Sequence, residues 1–378
     1  MIEEIKFKLD KISDFWSHYI CDYQKCKNEI NFNRNNLTTT SYANLMSYLG
    51  DTLDVIENKN ESTNFQGSFS YHIGLLQAIY IQQDLIQELL KIFCCEISKG
   101  DLYENSNYNI NRNLRNELVG HPIRKTRIEH KNKNVEVLKS SVLMDIHSNT
   151  NEISYARYHI DNKYSYEKLT YKIDDIISRH YEFLNTYLDK IINKAKKILK
   201  NFRGRVNALH NVLETQSFES IVNLTALDFE SIFNSFYIYD PKNLLESYKK
   251  RDEHIRYQNN VNQFLKDLKS WLTGTLEDLE FAFKERVFES KMTEPSSLFS
   301  AEYSKALEKP KLNYHYELGK LGSKRGYQDF DFFSGLLKDK CNDNFEVLKE
   351  IEHMEKNRFN ELEYHCSLKL IRKILNEE

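Results

Sequence analysis

Leu114-Arg115-Asn116-Glu117-Leu118-Val119-Gly120-His121-Pro122 is the stretch from which the 378-residue chain is best read. Ile110, Leu114 and Leu118 recur every four residues, so the spacing predicts one buried stripe on a short helix over about 109–119. Arg112 and Asn116 are also four apart and share another face, and Arg115 projects from the helical wall beside the core. Gly120 stops this helix, and Pro122 prevents its resumption. On a continuous helix Arg115 and His121 would point roughly 120° apart. A chain turn at Gly120 lets His121 swing back toward Arg115.

A guanidinium, a carboxamide and an imidazole are then neighbours, a set that suits phosphodiester cleavage in RNA. An imidazole, with an ordinary pKa of roughly 6.5, can take the 2′-hydroxyl proton or protonate the 5′-leaving oxygen. A permanently charged, forked arginine can hold the phosphate and the charge that develops on it. No metal is required when the 2′-hydroxyl is the nucleophile. The same three residues also fit a bland role, in which Arg and His at a helix end cap carbonyls or pair with acids.

Outward from this segment the chain reads as mainly helical. Four prolines and eleven glycines are few for this length, which favours long unbroken helices. Apolar periodicity predicts helices over about 2–30, from Ser41 through Ile56, and from Ser68 or Ser70 to about Ile97. Gln82, Gln83 and Asp84 interrupt the apolar face of the third. A basic loop after His121 is followed by a β-hairpin over about 139–160, turning at 148–151. Another long helix covers 165–202 and ends at Gly204. Beyond it, 206–238 reads as helical with a break near Thr215. One or two helices follow Pro241, 293–325 is irregular, and 329–376 is long helix. The expected domains are 1–205 and 206–378, the second a helical domain without an evident role.

Hydrophobic residues make up 40% of the chain and charged residues 29%, enough for a core and against disorder. The net charge of -3 means that any nucleic-acid site must come from local patches. Arg124, Lys125, Arg127, Lys131 and Lys133 form one such run, and Lys190 to Arg205 contains seven cations without an acid. His353 and His365, set among glutamates, match no metal-ligand spacing and read as part of a charged helix surface. No CxxC pair, P-loop or dinucleotide fingerprint occurs, so no metal or cofactor is expected. The charged N-terminus lacks an apolar signal core, and no run approaches the roughly 20 apolar residues of a membrane span. A cytoplasmic location without membrane association is the expectation.

Arg115-Asn116 followed by His121 resembles the R-x4-6-H motif of the HEPN superfamily (higher eukaryotes and prokaryotes nucleotide-binding domain). The setting is similar too: a long helix, a polar loop, then a short helix ending at Gly-His-Pro. The resemblance covers about 68–127 and, more loosely, 1–205. It implies a HEPN-type helical bundle and a metal-independent endoribonuclease, commonly a toxin or antiviral-defence effector. Products would carry 2′,3′-cyclic phosphate and 5′-hydroxyl ends. Two protomers would meet through their motif helices, with an antitoxin or regulatory partner as a further expectation. Arg115 would bind the phosphate, His121 would transfer the proton, and Asn116 would orient the substrate or His121. Arg112, Arg124, Lys125 and Arg127 would contact RNA, with Gln83 and Asp84 lining the cleft opposite Arg115. Some family members have a modifiable Tyr two residues after the His, where this chain has Ile123. Others have lost catalysis and serve as helical docking modules, which is the alternative reading here.

Overall fold

Trp16 shows how the N-terminal helices begin to pack. Its indole lies flat on Tyr42, centroids 3.7 Å apart. Helix α1 (Ile2–Phe15) ends in a π-helical turn, Trp16–Ile20, followed by the short α2 (Gln24–Lys27). The single helix expected to residue 30 is therefore broken, and the wide turn keeps both Trp16 and Ile20 in the core. Tyr42 belongs to α3 (Thr39–Glu57). Asn64 Oδ1 accepts the Gly67 amide at 2.8 Å and starts α4 (Phe65–Ile92), a few residues ahead of the expected serine caps. That helix stops short of Ile97, with Cys94 in the left-handed region at φ 50°. The computed structural model describes residues 1–31, 39–58, 64–97, 100–130, 133–146, 149–232, 239–281, 314–323 and 327–376. Among them the chain is mainly helical with one four-stranded antiparallel sheet. It divides into two compact units, Met1–Lys200 and Asn201–Glu378. No helix among the described residues is long and apolar enough to cross a membrane.

After α5 (Asp101–Glu104), Asn105 caps α6 (Ser106–Arg115) by accepting the Tyr108 amide at 3.0 Å. Leu114 is buried, but Ile110 is 41% exposed, so the apolar stripe expected from Ile110 through Leu118 is only partly covered. The chain then enters a meander of β1 (Ile123–His130), β2 (Lys133–Met144), β3 (Glu152–His159) and β4 (Glu167–Lys172). The expected hairpin is thus the middle of a larger sheet. The predicted basic loop is strand β1. Its Arg124 and Thr126 are half-buried while Lys125 and Arg127 face solvent, the period-two pattern of a strand. Cations on the outer face disguised it in the sequence. Strand β4 likewise occupies the start of the helix expected from 165: Glu167, Leu169 and Tyr171 point inward and their neighbours outward.

Helix α7 (Ile173–Thr215) runs straight past Gly204, which was expected to end it. A glycine lowers helix propensity by only about 1 kcal/mol, and the buried Phe202, Val206 and Leu209 flanking it continue the apolar stripe. In the N-terminal unit α7 carries the buried His180, whose Nε2 meets Gln82 Oε1 at 2.6 Å. Gln82 donates onward to Leu49 O and Thr52 Oγ1, each at 3.1 Å. Its oxygen must therefore accept, which assigns the proton to His180 Nε2. His180 Nδ1 is buried without a partner among the described residues, so a second proton there would meet no acceptor.

Burial lowers the His180 imidazole to about 3. Burial also lowers His72, although its contact with Asn149 O opposes that. Because both titrate below an unfolded histidine, the unfolded chain takes up protons first as pH falls. Stability is then complete above about 6.5 and declines below it. The melting temperature should fall between about pH 7 and pH 5, and His180→Gln should flatten that slope. A melting temperature constant across this range would exclude the effect.

In the second unit α8 (Phe218–Ile232) is followed by α9 (Pro241–Lys249), α10 (Ile255–Phe281) and α11 (His315–Leu321). Three further helices, α12 (Phe330–Lys340), α13 (Phe345–Lys356) and α14 (Glu361–Ile374), replace the single long helix expected over 329–376. Asn344 and Asn360 make the breaks, accepting the amides of Val347 and Glu363. Phe330, Leu337, Val347, Ile351, Met354 and Ile371 form their shared core. Of the expected irregular stretch 293–325, residues 293–313 and 324–325 lie outside the described residues.

The presumed charged surface around His353 is a buried ionic network. Arg256 donates Nε and Nη2 to the two Glu350 oxygens, both at 3.0 Å. Its Nη1 lies 2.6 Å from His353 Nε2, which is in turn 3.0 Å from Glu363 Oε2. Glu363 also accepts from Tyr257 and Lys250. Burial alone would raise the Glu363 carboxyl, but bonds from Tyr257, His353 and Lys250 outweigh it and hold it below the usual range.

Candidate active site

Two helices and one turn assemble the cluster around Arg115. Its foundation is Asn111, fully buried on α6, which donates to Ile176 O at 2.9 Å and accepts from Arg179 Nε at 3.2 Å. Those bonds pin α6 against α7. From α4, Gln83 Nε2 donates to Tyr108 O at 3.1 Å. The side chain of Gln83 is fully buried. It supports α6 from within and cannot contact a substrate, which corrects its expected place in the cleft.

Gln77, Tyr80 and Asp84 lie at three- and four-residue steps on α4 and form one face toward α6. Arg112 and Arg115, three apart on α6, meet that face. Both guanidinium carbons stand 3.9 Å from the Tyr80 ring centroid. Arg112 Nη1 pairs with Asp84 Oδ1 at 2.6 Å. Asp84, expected to line the cleft opposite Arg115, pairs with Arg112 and neutralises its charge. Arg115 donates Nε and Nη2 to Gln77 Oε1 at 3.2 and 2.9 Å, and Nη1 to Asn116 Oδ1 at 3.2 Å. These acceptors are neutral, and Arg115 forms no ion pair among the described residues. It is a half-buried cation whose charge is uncompensated.

Asn116–Gly120 is a second π-helical turn, closed by the His121 amide donating to Asn116 O at 2.8 Å. That bond brings the backbones of Asn116 and His121 together. The His121 side chain is exposed and makes no hydrogen bond or ion pair among the described residues. Glu117 anchors the turn to the sheet, accepting from Tyr155 Oη at 2.9 Å and facing Arg157 Nη1 at 3.6 Å. Gly120 does not adopt a left-handed conformation. Its value is space: a Cβ there would lie 2.9 Å from Arg115 Nη1.

The basic run beyond His121 is less uniform than the sequence suggested. Lys125 pairs with Glu136 at 3.1 Å, and Arg124 Nε is buried without an acceptor among the described residues. Arg127 is exposed. Lys131 and the side chain of Lys133 lie outside the described residues. On α7, Lys190, Lys197 and Lys200 are exposed.

No family model, curated protein or solved structure matches this chain significantly. The reading of the site therefore rests on its own geometry.

Gln77, Tyr80 and Glu117 were not anticipated. The first two were visible in principle, because Gln77-Tyr80-Asp84 repeats the helical step of Arg112-Arg115. Glu117 was not, since its partner Tyr155 is 38 residues away on β3.

Proposed function

We propose that the chain is a metal-independent endoribonuclease of the HEPN type, a toxin or defence effector acting in the cytoplasm. The observation that carries this reading is one π-helical turn, Asn116–Gly120, flanked by the uncompensated Arg115 guanidinium at its start and by the exposed, unengaged His121 imidazole at its end. Such turns are frequent at functional sites. A phosphodiester supplies the negative charge that Arg115 lacks, and His121 is accessible to take the proton of a 2′-hydroxyl or return one to the leaving oxygen. Asn116 orients Arg115 through its Oδ1. Attack by the 2′-hydroxyl releases a 5′-hydroxyl end and leaves a 2′,3′-cyclic phosphate. Exposed Arg127 and Lys125 extend the track for RNA. Exposed Ile110 and Ile123, flanking the motif, suit pairing of two protomers through their motif helices.

The test is total RNA incubated with purified protein in excess EDTA, followed by a denaturing gel. Wild type should cleave, and His121→Ala should fold normally and leave the RNA intact. Undiminished cleavage by His121→Ala would overturn the assignment.

A second reading, a non-catalytic helical docking module, draws on the internal engagement of Arg115 by Gln77, Asn116 and Tyr80. It predicts that Arg115→Ala lowers the melting temperature substantially. A fully stable Arg115→Ala protein that has lost only RNA cleavage rules it out.

A further inference from the structure

A cavity of about 340 Å³ opens among α9, α10 and α14 of the second unit, apart from the motif on α6. It reaches the lower end of the size range for small-molecule sites. The half-buried Lys369 lines it, with Nζ 2.9 Å from Asn260 Oδ1 and 3.9 Å from the Tyr239 ring centroid. Neither neighbour carries a negative charge, and Lys369 forms no ion pair among the described residues. Asp267 accepts from Tyr239 Oη and from Gln263 Nε2 at 2.8 Å, both neutral donors, and keeps a negative charge that acts on Lys369 from beyond ion-pair distance. Burial lowers the Lys369 amine to about 8, although Cys366 and the Asp267 carboxylate oppose it.

Two acids line the same cavity. Asp240 uses Oδ1 to cap the Lys242 amide at the start of α9, leaving its other oxygen. Glu361 is exposed in the first turn of α14. A simple dianion would be attracted by Lys369 and repelled by these two carboxylates, and a diamine would meet the reverse. A molecule bearing both charges is the ligand that suits all three groups at once. Asn243 and His365 add polar lining for the remainder of such a ligand.

We propose that this cavity binds a small zwitterion, with its carboxylate or phosphate against Lys369 and its ammonium toward Asp240 and Glu361. The site stands independently of the ribonuclease reading and gives the second unit a ligand-sensing role.

Calorimetry on the full chain at neutral pH decides it. The probes are α-amino acids, γ-aminobutyrate and O-phosphoethanolamine, with succinate and putrescine as the singly signed controls. The amino acids and phosphoethanolamine separate a carboxylate ligand from a phosphate one. At least one zwitterion should bind at millimolar concentration, and succinate and putrescine should bind about tenfold more weakly or not at all. Lys369→Met should abolish that binding. The rim variant Glu361→Gln, which leaves the interior untouched, should weaken it by about tenfold while circular dichroism stays unchanged. Absence of binding by every zwitterion, equal binding of succinate, or binding that survives both substitutions overturns the proposal.

Discussion

Replacing Arg256 by methionine should destabilise the second unit by about 3–5 kcal/mol. Arg256 is 8% exposed, and its two partners Glu350 and Glu363 are 4% and 7% exposed. Removing the guanidinium leaves Glu350 without its bidentate donor and His353 without its closest contact. Glu350 then keeps its charge in a low-dielectric setting without a close donor, while Glu363 retains Tyr257, His353 and Lys250. For a unit of this size the loss corresponds to a fall of about 10 °C in melting temperature. Removing both charges, with Arg256→Met and Glu350→Met together, should cost less than the single change, because no orphan carboxylate is left at that position. Lys250→Met supplies the contrast: it touches Glu363 from the solvent side and should cost about 1 kcal/mol or less. Thermal melts of the four proteins check all three statements. Equal melting of Arg256→Met and wild type would show that the network contributes no stability.

The second large effect is on chemistry and barely on stability. Gly120→Ala adds a methyl group whose nearest neighbour would be Arg115 Nη1 at 2.9 Å, with Asn116 Oδ1 at 3.7 Å. The clashing atom is the end of a flexible side chain, so the guanidinium can move aside at little energetic expense. The backbone of Gly120 is ordinary for an L-residue, so no strain is added there. The displacement nevertheless moves the one charge that the proposed mechanism places on phosphate, and a shift of about 1 Å can lower a rate by about a hundredfold. Gly120→Ala should therefore melt with wild type yet cleave RNA about a hundred times more slowly in the EDTA assay. Full cleavage by this variant would remove Arg115 from the mechanism.

Local signals carried the helical class, the break near Thr215 and the start at Pro241, because caps and periodicity reside in neighbouring residues. The same signals failed where a partner far along the chain decides the outcome. Strand β1 exists because Val135 and Val137 pair with it, and its own residues, Arg124-Lys125-Thr126-Arg127, read as a solvated loop. Gly204 looked like a helix end, but the apolar stripe around it holds α7 together. At the site, Arg115, Asn116 and His121 could be singled out from their spacing at a helix end. The neutral character of Arg115's partners was not, because Gln77 lies 38 residues upstream. Gln83 was misplaced for a related reason: a glutamine on a helix looks solvent-facing until the carbonyl it serves, Tyr108 O, is known. The Arg256 network escaped notice because its members come from three helices separated by about a hundred residues.

The bond between Glu117 and Tyr155 has an evolutionary consequence. A meander inserted between two helices is ordinarily dispensable, free to be trimmed or exchanged as lineages diverge. Here its third strand supplies the hydroxyl that holds the turn carrying Asn116 and His121. A descendant that shed residues 123–172 would strand Glu117 and loosen the motif with it. Sheet and motif are thus bound to be inherited together, and relatives that keep Arg115, Asn116 and His121 but lack the sheet should carry a different residue at position 117.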